Sequence, residues 1–390
     1  MKPAVVNAWS RMVLIPAEEG PENYRWTSTV VLECTCPPME IRLEKGQTRS
    51  PGEPSCHPGR SAPSGRVATA ETATLDTIEV EHGGLENVRR PQDHGHQSPG
   101  PEPRPRSIPK VTSQFGKFGP DLPFVAAREL HAVDLSLIGL RCTMAPETVL
   151  VADGLVHSFK VAPSEERPDV VNLRVFLEHP VSPAVGEKAG LPHLVTLEFS
   201  REPVRQVFRG KSVVIDPGHG GRDRGFRGPV NLLEKNVAMI VSKNLYSLLH
   251  LAGARPHLTR RDDVAIEDFH RLRAATCCSA DCLIKIHASG EDDPDRRAYF
   301  VRYSPHLDCS RALALEIRNA LLERMGIDPA LVEWDEFGLL STPVVQVEPV
   351  CLTHYADEAN FRAPLFQKRL AQSIFNGLMR WYMKGGNRGR

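Results

Sequence analysis

The chain has 390 residues, 41% of them hydrophobic and 25% charged, an ordinary composition for folded protein and a length that suits two or three domains. Lysine plus arginine equals aspartate plus glutamate at 48 each, so no net field draws the whole chain to nucleic acid or an anionic surface. No apolar run approaches the roughly 18 residues of a membrane span, and nine cysteines, an odd count in a chain of this size, read as free thiols rather than a disulfide framework.

The N-terminal MKPAVVNAWSRMVLIPAEEG holds short apolar pieces interrupted by Arg11 and makes a poor secretory signal. Residues 1–46, with TSTVVLECTCPPMEIRLEKG, predict a small β element. Residues 47–120 are rich in Pro, Gly, Ser, Arg and His and poor in large apolar residues, which predicts a disordered linker with solvated histidines. Residues 121–207 give strand-like pieces separated by turns (VDLSLIGLRC, ETVLVADG, VVNLRVFLEHPV, HLVTLEFS) and predict an all-β domain.

From residue 208 to 384 the rhythm changes to strands and helices in alternation. KSVVID is a strand, and the helix from Glu234 to Ala252 places Val237, Ile240, Val241, Leu245, Leu248 and Leu249 on one face, closed by Gly253. Strand ARPHLTR, helix IEDFHRLRAATCC, strands CLIKIH and AYFVRY, a helix from Ser310 to Met325, strand PVVQVE and a last helix from Leu365 to Tyr382 follow. This predicts an α/β fold, a mostly parallel sheet with helices on both faces. Residues 385–390 read as a flexible basic tail.

In such sheets the site lies beyond the carboxyl ends of the strands. KSVVID runs into His219 inside a Pro-Gly-His-Gly-Gly turn, CLIKIH ends at His287, PVVQVE ends at Glu348, and Glu234 opens the helix that follows the His219 loop. Each has an ordinary structural reading alone, but together they offer two imidazoles and two carboxylates to one rim. Two imidazoles and a carboxylate are the ligand set of a catalytic zinc, with a fourth position open for water, and the second carboxylate is free to act as a base. The same loop fails as a dinucleotide fingerprint, because Asp223 stands where the third glycine belongs, and as a P-loop, because Gly210-Lys211-Ser212 precedes the strand. No G-x-S-x-G is present. Cys277, Cys278 and Cys282 lack C-x-x-C spacing and read as ordinary thiols.

VVIDPGHGG, LLEKN, HLTRRDD, the IHAS segment and a late PVVQVE before a terminal helix occur in that order. In this, Lys211 to Tyr382 resembles the zinc-dependent N-acetylmuramoyl-L-alanine amidases of the third amidase family. The resemblance implies a zinc amidase fold, one Zn2+ per chain held by His219, Glu234 and His287, and Glu348 as the catalytic carboxylate. It implies peptidoglycan as substrate, cut at the amide between the lactyl group of N-acetylmuramic acid and L-alanine of the stem peptide. The β-rich region resembles the wall-targeting β domain that often precedes such amidases. Arg222, just past the His219 turn, is a candidate for holding a peptide carboxylate.

The chain departs from the family where Ser-Ile-His-Ala-Asn becomes Lys285-Ile286-His287-Ala288-Ser289, where Gly-Phe becomes Pro349-Val350, and at DPDRRAYF. Strand alternation puts Lys285 on the side of His287, where an ammonium opposes a dication unless it turns away or pairs with a carboxylate. Two other readings stand beside the amidase: a weak or inactive wall-binding or regulatory protein of the same fold, and a zinc peptidase acting on a different amide. The resemblance implies action at the cell envelope or outside the cell, whereas a chain lacking a signal would stay cytoplasmic until lysis; any regulatory partner is left unknown.

Overall fold

Period-two alternation of buried and exposed residues builds the N-terminal half of the computed structural model, which describes residues 3–16, 24–45, 130–144, 147–337 and 340–386. Ten strands form it: β1 (Ala4–Pro16), β2 (Tyr24–Cys34), β3 (Glu40–Lys45), β4 (His131–Ile138), β5 (Arg141–Cys142), β6 (Glu147–Leu150), β7 (Val156–Pro163), β8 (Val170–Leu177), β9 (Ala184–Lys188) and β10 (His193–Ser200). They make two five-stranded sheets, ordered β5-β1-β2-β10-β9 and β3-β4-β8-β7-β6. Val30, Leu32, Val195 and Leu197 of one sheet share a core with Leu135, Leu137, Phe159, Leu173 and Val175 of the other, as in a sandwich.

The β element expected at residues 1–46 is not a separate unit. β2 lies between β1 and β10, and β3 pairs with β4 from Glu40↔Ile138 to Lys45↔Val133, so these strands complete the domain predicted from residue 121 onward. The linker expected at 47–120 and residues 387–390 of the tail lie outside the described residues. The stretch weighed as a secretory signal is strand β1, with Ala4 and Val5 buried.

The second half follows the expected alternation: α1 (Glu202–Phe208), β11 (Ser212–Pro217), α2 (Glu234–Leu251), β12 (Arg255–Leu258), α3 (Asp268–Cys277), β13 (Cys282–Ile286), β14 (Phe300–Tyr303), α4 (Asp308–Met325), β15 (Ala330–Glu333), β16 (Val344–Glu348), α5 (Tyr355–Phe361) and α6 (Pro364–Met383). The sheet order is β12-β11-β13-β16-β14-β15. β12, β11, β13 and β16 are mutually parallel, while β14 runs antiparallel to β16 and parallel to β15. Helices α2, α4 and α6 cover one face and α3 the other, where Val214, Leu283 and Val344 meet Ala275 and Ala280. Three helices and strands of this half, besides β7 and β9 of the sandwich, were not among the elements read from sequence. α1 replaces the end of the expected all-β stretch, started by Pro203 in its first turn, and β15 and α5 are too short to show a period.

Helix α6 is buried from Leu370 to Tyr382 because it is covered on both sides. Phe375 stacks on Phe208 at 4.6 Å and meets Trp26 of β2 edge-on at 6.3 Å. Asn376 and Gln372 donate to the carbonyls of Ala152 and Asp153, at 2.7 and 2.8 Å, and Arg380 bridges Glu178 and Glu323. Arg201, wholly buried, pairs with Asp153 at 3.1 Å, donates to Ser28 and lies 4.0 Å over the Trp26 ring. The sandwich is therefore docked through a hydrogen-bonded, apolar seam onto helices α4 and α6.

Candidate metal centre and active site

Three strand ends and one helix start converge at the rim, as the sequence pattern required. β11 stops at Pro217 and His219 follows with φ 59°, a left-handed conformation uncommon outside glycine. That turn is held by two buried guanidiniums. Arg260 donates to the carbonyls of Pro217 (2.9 Å) and Gly218 (2.7 Å), and Arg271 donates to Pro217 (2.8 Å), His219 (2.8 Å) and the Asp216 carboxylate (2.7 Å). Arg260 belongs to HLTRRDD, so that motif serves the His219 loop from the end of the neighbouring strand.

The glycines around His219 have a steric reason. A Cβ on Gly218 would sit 2.4 Å from Cε1 and 2.5 Å from Nε2 of His287, and one on Gly225, at φ +62°, would sit 2.5 Å from Oε2 of Glu234. The two imidazoles pack edge to face, centroids 4.9 Å apart, only because nothing larger than hydrogen intervenes.

Glu234 is the first residue of α2, where the helix dipole favours a carboxylate. Its Oε1 lies 3.0 Å from Nε2 of His219 and 3.1 Å from Nδ1 of His287, and also accepts from the Ala288 amide; Oε2 accepts from the Phe226 amide at 2.9 Å. Burial would raise its pKa, but the hydrogen bonds and charges of the two imidazoles hold it down at about 2. For His219, burial lowers the pKa, and the hydrogen bonds and charges of Glu234 and Asp223 more than reverse this, leaving it raised. The other ring nitrogen, Nδ1, faces Asp223 at 2.9 Å. The three donors lie within 4.8 Å of one another and are the one group of this kind among the described residues. Separations of 3.0 and 3.1 Å are close to the roughly 3.3 Å expected between two ligands on a tetrahedral zinc with bonds of about 2.0–2.1 Å, so an ionised carboxylate and two imidazoles fit that ion.

Glu348 and these donors line one cavity of about 440 Å³, shared with Phe226, Arg302, Trp334 and Gln346. Its Oε1 accepts from Arg302 Nε at 2.5 Å and from Gln346 Nε2 at 2.8 Å, and its Oε2 meets Arg302 Nη2 at 3.3 Å. Arg222 is exposed and is not among the residues lining the cavity. Lys285 is half-buried in β13 between Asp216 and Gln346 and is likewise not a lining residue. Arg302, Gln346 and Trp334 were not singled out from sequence. The visible signal was an arginine inside the apolar strand AYFVRY, whose meaning depends on the register with β16. Asp223 stood beside the motif without an assigned role.

An α/β sheet that carries a His-Glu-His donor set at its carboxyl rim, with a further carboxylate in the same cavity, has the parts of a metal-dependent hydrolase. Residues 213–380 match the family described as N-acetylmuramoyl-L-alanine amidase, and this part of the chain is a catalytic domain of that family. The amidase LytC of Bacillus subtilis is 29% identical over 178 residues, covering 44% of this chain and 36% of the relative. AmiA of Escherichia coli is 40% identical over 102 residues, 26% of this chain and 35% of the relative. Among solved structures, the amidase AmiC2 of Nostoc punctiforme is 30% identical, covering 44% of this chain and 97% of that one, with a TM-score of 0.42. The chain thus spans about a third of the length of the LytC and AmiA relatives it matches.

Proposed function

We propose that this chain is a zinc-dependent N-acetylmuramoyl-L-alanine amidase that cuts the amide between the lactyl group of N-acetylmuramic acid and L-alanine of the peptidoglycan stem peptide. The observation that carries the reading is the convergence of His219, Glu234 and His287 in a cavity that Glu348 also lines. His219, Glu234 and His287 would hold one zinc ion, which when bound supplies a Lewis acid and lowers the pKa of water toward about 7. Asp223 fixes the His219 ring by its contact with Nδ1. Glu348 takes the proton from the attacking water and returns it to the leaving nitrogen of L-alanine. Phe226 and Trp334 contribute apolar wall to the cavity in which that transfer occurs.

The reading as an inactive wall-binding protein is not favoured, since the donor set and Glu348 are all present in one cavity. Site of action at the cell envelope follows from the substrate, and the relatives include a probable cell wall amidase, LytH of Staphylococcus epidermidis.

The test is a digest of purified peptidoglycan by the full chain with zinc. New N-terminal L-alanine, abolished by a chelator and restored by zinc, is expected. Products cut only at glycosidic or interpeptide bonds, or turnover indifferent to chelation, would overturn the reading.

A further inference from the structure

Arg302 has no counterpart in the chemistry described so far, yet it is the one lysine or arginine among the residues lining the cavity. Its place follows from strand register. β14 runs antiparallel to β16 with Phe300 opposite Glu348 and Arg302 opposite Gln346, so all four side chains project from one face. The guanidinium also lies over two aromatic rings: its carbon is 4.2 Å from the Trp334 ring centroid and 4.7 Å from that of Phe300. Its edge presents two nitrogens to Glu348, and the pair is largely withdrawn from water, at 18% and 6% side-chain exposure.

The two oxygens of Glu348 are treated unequally. Oε1 carries the short bond from Arg302 and the bond from Gln346, whereas Oε2 has only the 3.3 Å contact. We propose that Arg302, held against Trp334 and Phe300, is a positioning residue that pins Oε1 of Glu348 and so presents Oε2 to the proton in flight. The inference rests on the amidase reading of this cavity. A base must sit within hydrogen-bond reach of the proton it moves, and a displacement of about 1 Å can cost ~10²-fold in rate. Lysine cannot replace this contact, because an ammonium neither stacks on two rings as a plane nor forks onto one carboxylate.

The test uses the full zinc-loaded chain with Arg302→Ala, Arg302→Lys and Arg302→Met, the last keeping the apolar bulk against the rings. Zinc content and KM for a soluble muropeptide should stay near wild type while kcat falls about 10²-fold in all three. Methylguanidinium should restore part of the turnover of Arg302→Ala, and methylammonium should not. A kcat for Arg302→Ala within about threefold of wild type, or equal rescue by both cations, would overturn the proposal. Should the wild type hold zinc and cleave nothing, the amidase reading fails by itself, and a crystal structure of Arg302→Ala still decides the positioning. A Glu348 carboxylate rotated away from its wild-type orientation supports it, and an unmoved one overturns it.

Discussion

Replacing Gly218 by alanine perturbs the metal centre without touching any donor. The added methyl would lie 2.4 Å from Cε1 of His287, where carbon atoms in contact stay about 3.5–4.0 Å apart. The ring must therefore retreat by more than about 1 Å, several times the ~0.2 Å tolerance of a metal–ligand distance. Gly218 is not in the left-handed region, so alanine adopts its backbone without strain. Loss of one well-placed imidazole should weaken zinc binding by about 10²-fold, about 2.8 kcal/mol at roughly 1.4 kcal/mol per decade. Competition titration against a chromophoric chelator measures this, and thermal unfolding of the metal-free protein, expected to move by only a few degrees, controls for the fold. Wild-type zinc affinity in Gly218→Ala would refute the packing argument, because the ring could then not be where the structure puts it.

Three further outcomes follow from the same geometry. Asp223→Asn keeps the shape beside His219 but removes the charge on its far nitrogen, and should cost about 10- to 100-fold in zinc affinity by the same titration; an unchanged constant would show that Asp223 does not orient the ring. Zinc binding should weaken as pH falls, beginning above the ordinary histidine pKa of 6.5: the His219 pKa is raised, so its proton competes with the metal at higher pH than a free imidazole would. Equilibrium dialysis across pH 5–8 checks it, and flat binding across that range contradicts it. Phe375→Ala empties the seam between the two domains and should cost about 3–5 kcal/mol in denaturant unfolding. A cost below about 1 kcal/mol would mean that the sandwich is not docked through this ring.

Much of the α/β half was legible because its signals are local: an apolar strand, a glycine turn and an amphipathic helix each fit in a window of a dozen residues. His219, Glu234, His287 and Glu348 could be grouped because parallel strands bring their carboxyl ends to one rim whatever their order in the sheet. What sequence could not supply was pairing over distance. β2 joins β10 and β3 joins β4 across more than eighty intervening residues, which no periodicity reveals. The antiparallel turn of β14 onto β16 was equally hidden, and with it the meeting of Arg302 and Glu348. Lys285 and His287 do keep the strand's alternation, both half-buried on either side of buried Ile286, as the sequence pattern predicts.

The most direct test of the account compares zinc content and amidase turnover of wild type and Glu348→Gln in one preparation each. About one zinc per chain in both, with turnover on purified peptidoglycan reduced by about 10²–10⁴-fold in the variant, is the predicted result. Turnover retained by Glu348→Gln would remove Glu348 from its role, and a wild type that binds no zinc would contradict the metal centre itself.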